Sequence, residues 1–233
     1  MLRHYERYAL FFAPAQGGGV LARLGAAWLG RDAGTGARFA PPEAAADLPR
    51  PHAEITATPR RYGLHGTLKP PMRLAPGCGA EALARAAQAL ADCYAPVSPG
   101  RLRVARLGHF LALVPEVQPH ALSALAAAVV EALDGFRAPP AADELARRRA
   151  AGLTRAQEHM LLRWDSPRVM DEFRFHITLT GPLEAAEIAP VTRVAEAHFA
   201  PALARAPVMS SLALFGEDGD GVFLLVRRLP LRG

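Results

Sequence analysis

The sequence predicts an α+β fold of two pseudo-symmetric lobes, each an antiparallel sheet with helices on its outer face, with a cleft between the lobes. The first observation is a His-x-Thr-Leu-x-x-Pro pattern that occurs at His65–Pro71 and again at His176–Pro182. The second is that helical and then hairpin periodicities follow each pattern, which gives a duplicated β-α-β-β order. The length suits one two-lobed domain over residues 1–233, with one half at about 60–135 and the other at about 170–233.

The elements of the first half follow from alternation and turn residues. Aromatic and apolar residues over 5–13 predict a first strand, and spacing over 23–29 predicts a short helix. Residues 30–60 are rich in Gly, Ala and Pro and predict a long loop. A strand over 64–74 bent by two prolines, a helix over 80–92, a hairpin of 101–107 with 109–114 around Gly108, and a helix over 120–133 complete this half.

The elements of the second half follow in the same way. Helices are predicted over 143–151 and 154–163, the latter opened by a capping-box pattern at Thr154 to Gln157. A strand over 173–180 carries the second histidine, and a helix over 185–199 follows it. Runs over 208–215 and 221–228, separated by acidic and glycine residues, predict the second hairpin.

Composition and charge exclude several classes of function. No apolar run is long enough to span a bilayer, and the two cysteines lack metal or redox spacing, so we expect a cytoplasmic protein without a membrane, metal or cofactor. The net charge of +5 favours an anionic ligand without indicating a polynucleotide. The basic residues comprise 26 arginines and one lysine, Lys69, which lies beside the first motif.

Alternation along the two histidine strands predicts the candidate site. Side chains on a strand point to opposite faces in turn, so His65, Thr67 and Lys69 share one polar face, and Arg174, His176 and Thr178 share another. If the lobes pack with these faces opposed, the six side chains line one cleft. Tyr8 on the first strand either flanks this cleft or belongs to the core.

These residue types fit phosphodiester chemistry. An imidazole can act near neutral pH as a base or an acid, so one histidine could activate an attacking hydroxyl or water while the other protonates the leaving oxygen. The threonine hydroxyls could donate to phosphoryl oxygens, where negative charge grows in the transition state. Lys69 and Arg174 would add fixed positive charge. The pattern does not decide which histidine is the acid and which is the base.

The paired motifs resemble the two-histidine (2H) phosphoesterase superfamily. Longer segments, Arg61–Pro71, Ala26–Asp32 and Phe173–Thr180, are similar to a branch encoded beside phosphonate-metabolism genes. The resemblance implies that His65 and His176 are catalytic and that Thr67 and Thr178 bind phosphate. It also implies a phosphoric diester hydrolase that acts, without a metal, on a small phosphoribosyl cyclic phosphate formed in phosphonate catabolism.

Two alternatives remain open at this stage. One is a phosphodiesterase for RNA 2′,3′-cyclic or 2′–5′ ends, with nucleic acid as the partner. The other is a nucleotide- or RNA-binding module without catalysis. The oligomeric state is not indicated by the sequence.

Overall fold

A computed structural model of the chain describes residues 3–14, 19–150 and 152–233. Within them, seven strands form one antiparallel sheet in the order β3-β4-β5-β2-β1-β6-β7. The strands are β1 (Arg7–Phe12), β2 (Gly66–Met72), β3 (Leu102–Leu107), β4 (Phe110–Pro115), β5 (Ile177–Thr178), β6 (Ser211–Glu217) and β7 (Phe223–Pro230). The two histidine strands, β2 and β5, are therefore neighbours at the centre of the sheet.

Eight α-helices lie in the described part of the chain. They are α1 (Val20–Leu29), α2 (His52–Ile55), α3 (Ala57–Arg60), α4 (Ala80–Ala91), α5 (His120–Ala132), α6 (Ala142–Arg149), α7 (Arg155–Trp164) and α8 (Ala185–Leu203). Thr154 caps α7 by accepting a hydrogen bond from the Gln157 amide, and the Gln157 side chain accepts from the Thr154 amide in return. The predicted helix over 143–151 is α6, and its predicted end at 151 lies outside the described residues. None of the described helices is long and apolar enough to cross a membrane.

The two faces of the sheet are covered differently. One face carries the main core, where α5 packs against β2, α8 against β3 and α4 against β7. The other face has a smaller apolar cluster centred on Phe11, Phe215 and Phe223, all fully buried, with Tyr62 packed against it. This second face, between β2 and β4, holds the candidate site.

The predicted pair of lobes with separate sheets is not confirmed. The fold is α+β, but it has one sheet: β5 of the second half pairs with both β2 and β4 of the first half, so strands from the two halves hydrogen-bond to each other. The order of histidine strand, helix and hairpin does recur, as β2, α4, β3–β4 and as β5, α8, β6–β7. The hairpins are nevertheless exchanged between the halves. The β3–β4 hairpin of the first half lies beside β5, and the β6–β7 hairpin of the second half lies on the β2 side of the sheet, next to β1.

Two predicted elements differ in extent. The strand expected over 173–180 is reduced to Ile177–Thr178, because the Phe175 amide donates to the Gln118 side chain at 2.7 Å instead of to a neighbouring strand. At the other end of β5, the amides of Leu179 and Thr180 both donate to the Leu111 carbonyl, which ends the regular ladder. The loop expected over 30–60 contains a 3₁₀ helix at Glu43–Asp47 in addition to α2 and α3.

Candidate active site

The register between β2 and β5 brings the two motifs together. Gly66 lies opposite Ile177 in this antiparallel pair, so continuing the register by one residue places His65 opposite Thr178 and Thr67 opposite His176. Residues directly opposite each other share a face of the sheet. The four side chains therefore lie side by side on one face, instead of on two opposed faces as the sequence suggested, with the histidines as diagonal neighbours.

The two imidazoles are oriented by equivalent hydrogen bonds to the backbone. Nδ1 of His65 lies 2.9 Å from the Gly63 carbonyl oxygen, and Nδ1 of His176 lies 2.9 Å from the Arg174 carbonyl oxygen. A carbonyl can only accept, so each Nδ1 carries the hydrogen, and in the neutral ring Nε2 is the acceptor. Gly63 has a φ of 72°, and a Cβ there would lie 2.3 Å from the Ala33 side chain, so glycine is required where this carbonyl is presented.

The surroundings of His65 keep it neutral. Its ring stacks on Tyr62 at 5.2 Å between centroids and lies 4.2 Å from the Phe11 ring. Burial lowers the pKa of His65 to about 4, the Gly63 hydrogen bond opposes this shift, and the nearby His176 adds to it. At neutral pH His65 is therefore uncharged and able to accept a proton at Nε2. His176 instead has Phe110 at 6.1 Å.

Four functional atoms on this face are available to a ligand. Across the described ranges, the Nε2 atoms of His65 and His176 and the hydroxyls of Thr67 and Thr178 have no hydrogen-bond partner, and none of the four residues is fully exposed. Two proton-transfer groups and two hydroxyl donors on adjacent strands can contact one phosphoryl group from the same side.

A cleft of about 730 Å³ is lined by two members of this group, Thr67 and His176, and not by His65 or Thr178. Its volume falls within the range of small-molecule sites, roughly 300–1,000 Å³. Four structural units line it: β2, the turn between β3 and β4, α7, and the segment that connects α7 to β5. The lining residues are Thr67, Leu68, Pro70, Leu107, Gly108, His109, Phe110, Gln157, Ser166, Arg168, Val169, Glu172, Phe173, Arg174 and His176.

Lys69 does not join the site. Thr67 lies opposite Phe11, but Lys69 lies opposite Leu10, and the register shift between these two pairs is a bulge that breaks the alternation of faces. Lys69 is 2% exposed on the core side, where Nζ donates to the Val130 carbonyl at 3.1 Å. It also lies 3.8 Å from Asp134, and burial lowers its pKa to about 8.

Of the two other predicted binding residues, Arg174 lines the cleft and Tyr8 does not. Tyr8 is 1% exposed in the main core, where its hydroxyl accepts from the Tyr5 amide and burial raises its pKa, so it does not flank the cleft. Arg174 is exposed and lines the cleft, and its Nη1 donates to the carbonyls of Asp171 and Phe173 at 2.8 Å. Of the seven residues predicted from the sequence, the structure brings five together and places Lys69 and Tyr8 elsewhere.

Several residues of the cleft or next to the histidines were not predicted. Tyr62, three positions before His65, supports the ring by stacking, and Phe110 lies beside His176 across β4. Ser166 and Arg168 line the cleft from the segment after α7. Only Tyr62 had a sequence signal, its closeness to the motif, because the other contacts depend on strand order and loop path.

No cluster of three or more histidine, cysteine or carboxylate side chains that could hold a metal ion is present among the described residues. Each imidazole at the site can accept or donate a proton, and each threonine hydroxyl can donate a hydrogen bond.

Comparison with known proteins gives a family and two relatives. Residues 67–224 match the model of a family described as "Protein of unknown function (DUF1045)", a range that starts two residues after His65 and includes His176. The chain is 36% identical over 238 aligned residues to "Ribose 1,5-bisphosphate phosphokinase PhnN" of Janthinobacterium sp. (strain Marseille), covering 97% of this chain and 51% of that protein. It is 35% identical over 225 residues to the protein of the same name from Laribacter hongkongensis (strain HLHK9), covering 96% and 51%.

These relatives correct one prediction. Both are named as phosphokinases, enzymes that transfer a phosphoryl group, so the prediction of a phosphoric diester hydrolase is wrong. The chain spans about half the length of each relative it matches.

Proposed function

Because this chain belongs to the DUF1045 family and is similar to proteins named for ribose 1,5-bisphosphate, we propose that it binds a phosphate ester of ribose in phosphonate catabolism and performs acid–base chemistry at that phosphate. The observation that carries the proposal is the set of four free groups, His65 Nε2, His176 Nε2 and the hydroxyls of Thr67 and Thr178, on one face of two adjacent strands. The two His-x-Thr motifs side by side on this face also support the proposal that the chain is related to the two-histidine phosphoesterase superfamily.

The division of labour between the histidines follows from their surroundings. His65 is uncharged at neutral pH because burial lowers its pKa to about 4, so its Nε2 accepts the proton of an attacking hydroxyl. His176, which lines the cleft, donates a proton to the oxygen that leaves phosphorus. Thr67 and Thr178 donate to the non-bridging oxygens, where charge develops.

A nucleotide-binding step is not part of this proposal. The Gly-x-x-x-x-Gly-Lys-Ser/Thr loop that cradles nucleotide phosphates requires a lysine followed by a hydroxyl residue. The one lysine of this chain, Lys69, is followed by Pro70. The names of the two relatives describe longer proteins, of which this chain matches about half.

The experiment is a ³¹P NMR assay of the purified chain in chelator with ribose 5-phosphate, ribose 1,5-bisphosphate and a cyclic phosphate of ribose, each with and without a second sugar hydroxyl as acceptor. We expect one of these esters to be converted, and His65→Ala and His176→Ala each to abolish conversion, whereas the exposed His120→Ala retains it. Conversion that survives both histidine substitutions contradicts the proposal. Binding without conversion of any ester establishes a non-catalytic ligand-binding module instead.

A further inference from the structure

The segment 165–170, which follows α7, forms part of the cleft lining that the acid–base proposal does not use. Ser166 and Arg168 from this segment line the same cleft as Thr67 and His176. The two pairs come from different structural units, a loop and the central strands. The cleft is therefore bordered by a second set of hydrogen-bond donors.

Both donors lack protein partners. Ser166 is 8% exposed, and its hydroxyl has no hydrogen-bond partner in residues 3–14, 19–150 or 152–233. The Arg168 guanidinium likewise has no ion pair or hydrogen bond within those ranges. The Ser166 hydroxyl and the Arg168 guanidinium are therefore both available to a ligand that enters the cleft.

One of the two carboxylates that lie three positions from Arg168, that of Asp165, is already paired. Asp165 is bound by Arg148, which donates to both its carbonyl and its carboxylate. Asp165 and Met170, at the two ends of the segment, have φ values of 56° and 53°, a region that non-glycine residues rarely adopt. Arg168 itself forms no ion pair with any described residue, so its guanidinium can pair with an anion in the cleft.

One acidic residue also borders the cleft. The Glu172 carboxylate accepts a hydrogen bond from the side-chain amide of Gln157, at 3.1 Å from its Nε2. A carboxylate disfavours an anion at its own position but is a good acceptor for sugar hydroxyls. The lining therefore offers donors for anions at Ser166 and Arg168 and an acceptor for hydroxyls at Glu172.

We propose that Ser166 and Arg168 form a second anion subsite, which binds a phosphate remote from the one at the histidines. The ligand is then a ribose that carries two phosphates, with its hydroxyls toward Glu172. This inference rests on the proposed function for the identity of the reacting phosphate. An arginine and a hydroxyl together give the charge-assisted hydrogen bonds that phosphate recognition uses.

The test compares the affinities of ribose 1,5-bisphosphate and ribose 5-phosphate for the purified chain by calorimetry. We expect the bisphosphate to bind about 10- to 100-fold more tightly, the range that hydrogen bonds to a charged group provide. Arg168→Gln should remove this preference while it leaves the affinity for the monophosphate unchanged, and Ser166→Ala should reduce the preference about 2- to 10-fold. Arg193→Gln is the matched control, because Arg193 is an exposed arginine of α8 that does not line the cleft.

Equal affinities of the wild-type chain for the two sugars, or an equal loss of both with Arg168→Gln, overturn the subsite. A second measurement separates this result from failure of the proposed function. Inorganic phosphate is titrated into His65→Ala/His176→Ala, in which the histidine site is removed. Binding that is lost when Arg168→Gln is added supports the subsite even if no ribose ester is converted, and binding that persists, or no binding in the double variant, contradicts it.

Discussion

The two histidine strands, β2 and β5, share a motif but have very different surroundings. β2 is seven residues long and hydrogen-bonds to β1 along most of its length, whereas β5 has two residues and is completed by side-chain and loop contacts. His65 on β2 is enclosed by Tyr62 and Phe11, while His176 on β5 borders the cleft. Both rings thus donate from Nδ1 to the carbonyl two residues earlier, but the His65 ring is covered by aromatic side chains and the His176 ring lines the cleft.

The motif thus determines how each ring is oriented, and the surroundings of His65 lower its pKa. Both rings present Nε2 because both Nδ1 atoms donate to a carbonyl. The pKa of His65 is lowered because aromatic rings exclude water from it.

Replacing either histidine with glutamine should give the largest effect. His65→Gln and His176→Gln should each lower the turnover of the ribose ester found by ³¹P NMR by roughly 10²- to 10⁴-fold, because general acid–base groups contribute about that much. The double variant should be little worse than either single variant, since both groups act in one step. A double variant whose loss equals the product of the single losses would show that the two rings act independently.

Removing the threonine hydroxyls should have the next largest effect. Thr67→Val and Thr178→Val keep the β-branched shape, and each should lower kcat by about 10²-fold through loss of one donor to the phosphoryl oxygens. Thr67→Ser and Thr178→Ser, which retain the hydroxyl, should stay close to wild type. A large loss for one valine variant and none for the other would mean that the cross-strand pairs are not equivalent.

Opening the aromatic enclosure should raise the pKa of His65. Tyr62→Leu removes the stacked ring and admits water, so the pKa of His65 should rise from about 4 toward the ordinary value of 6.5. An NMR titration of the His65 ring protons measures this change. Phe110→Leu, the matched substitution beside His176, should leave the His65 titration where it is.

The lowered pKa of His65 also predicts the pH dependence of stability. Between pH 6.5 and about 4 the unfolded chain binds a proton that the folded chain does not, so this group makes the free energy of unfolding fall as the pH decreases through that window. The contribution is at most about 1.4 kcal/mol per pH unit. Urea denaturation at several pH values should show a shallower dependence for His65→Gln, and an unchanged slope would contradict the assignment.

Lys69 should give the smallest effect on the site. Since Lys69 contacts Val130 and Asp134 on the core side, Lys69→Met should leave ligand affinity unchanged. The pKa of Lys69 is lowered to about 8, so its contribution to stability increases as the pH rises from about 8 to 10.5, and the variant should lose this dependence. Loss of ligand affinity in Lys69→Met would restore it to the group of binding residues.

The sequence anticipated the elements better than their assembly. Periodicity located the long helices and the hairpins within a few residues, and the paired motifs singled out His65, Thr67, His176 and Thr178, which lie on one face of the sheet. It could not show that β5 joins both halves in one sheet, because strand order depends on contacts between segments far apart in the chain. Lys69 was misplaced because alternation assumes a regular strand, and the bulge opposite Leu10 and Phe11 has no signal in the sequence.

The pairing of Gly66 with Ile177 has a consequence for how the protein becomes active. Each half of the chain supplies one imidazole and one hydroxyl, and neither half contains a working set. Two separately expressed fragments, cut between α5 and α6, should each be inert, and function should return only when they reassociate. Recovery of the proposed activity would then report that β5 has paired with β2 and β4, so the two fragments could serve as a split-protein sensor of association.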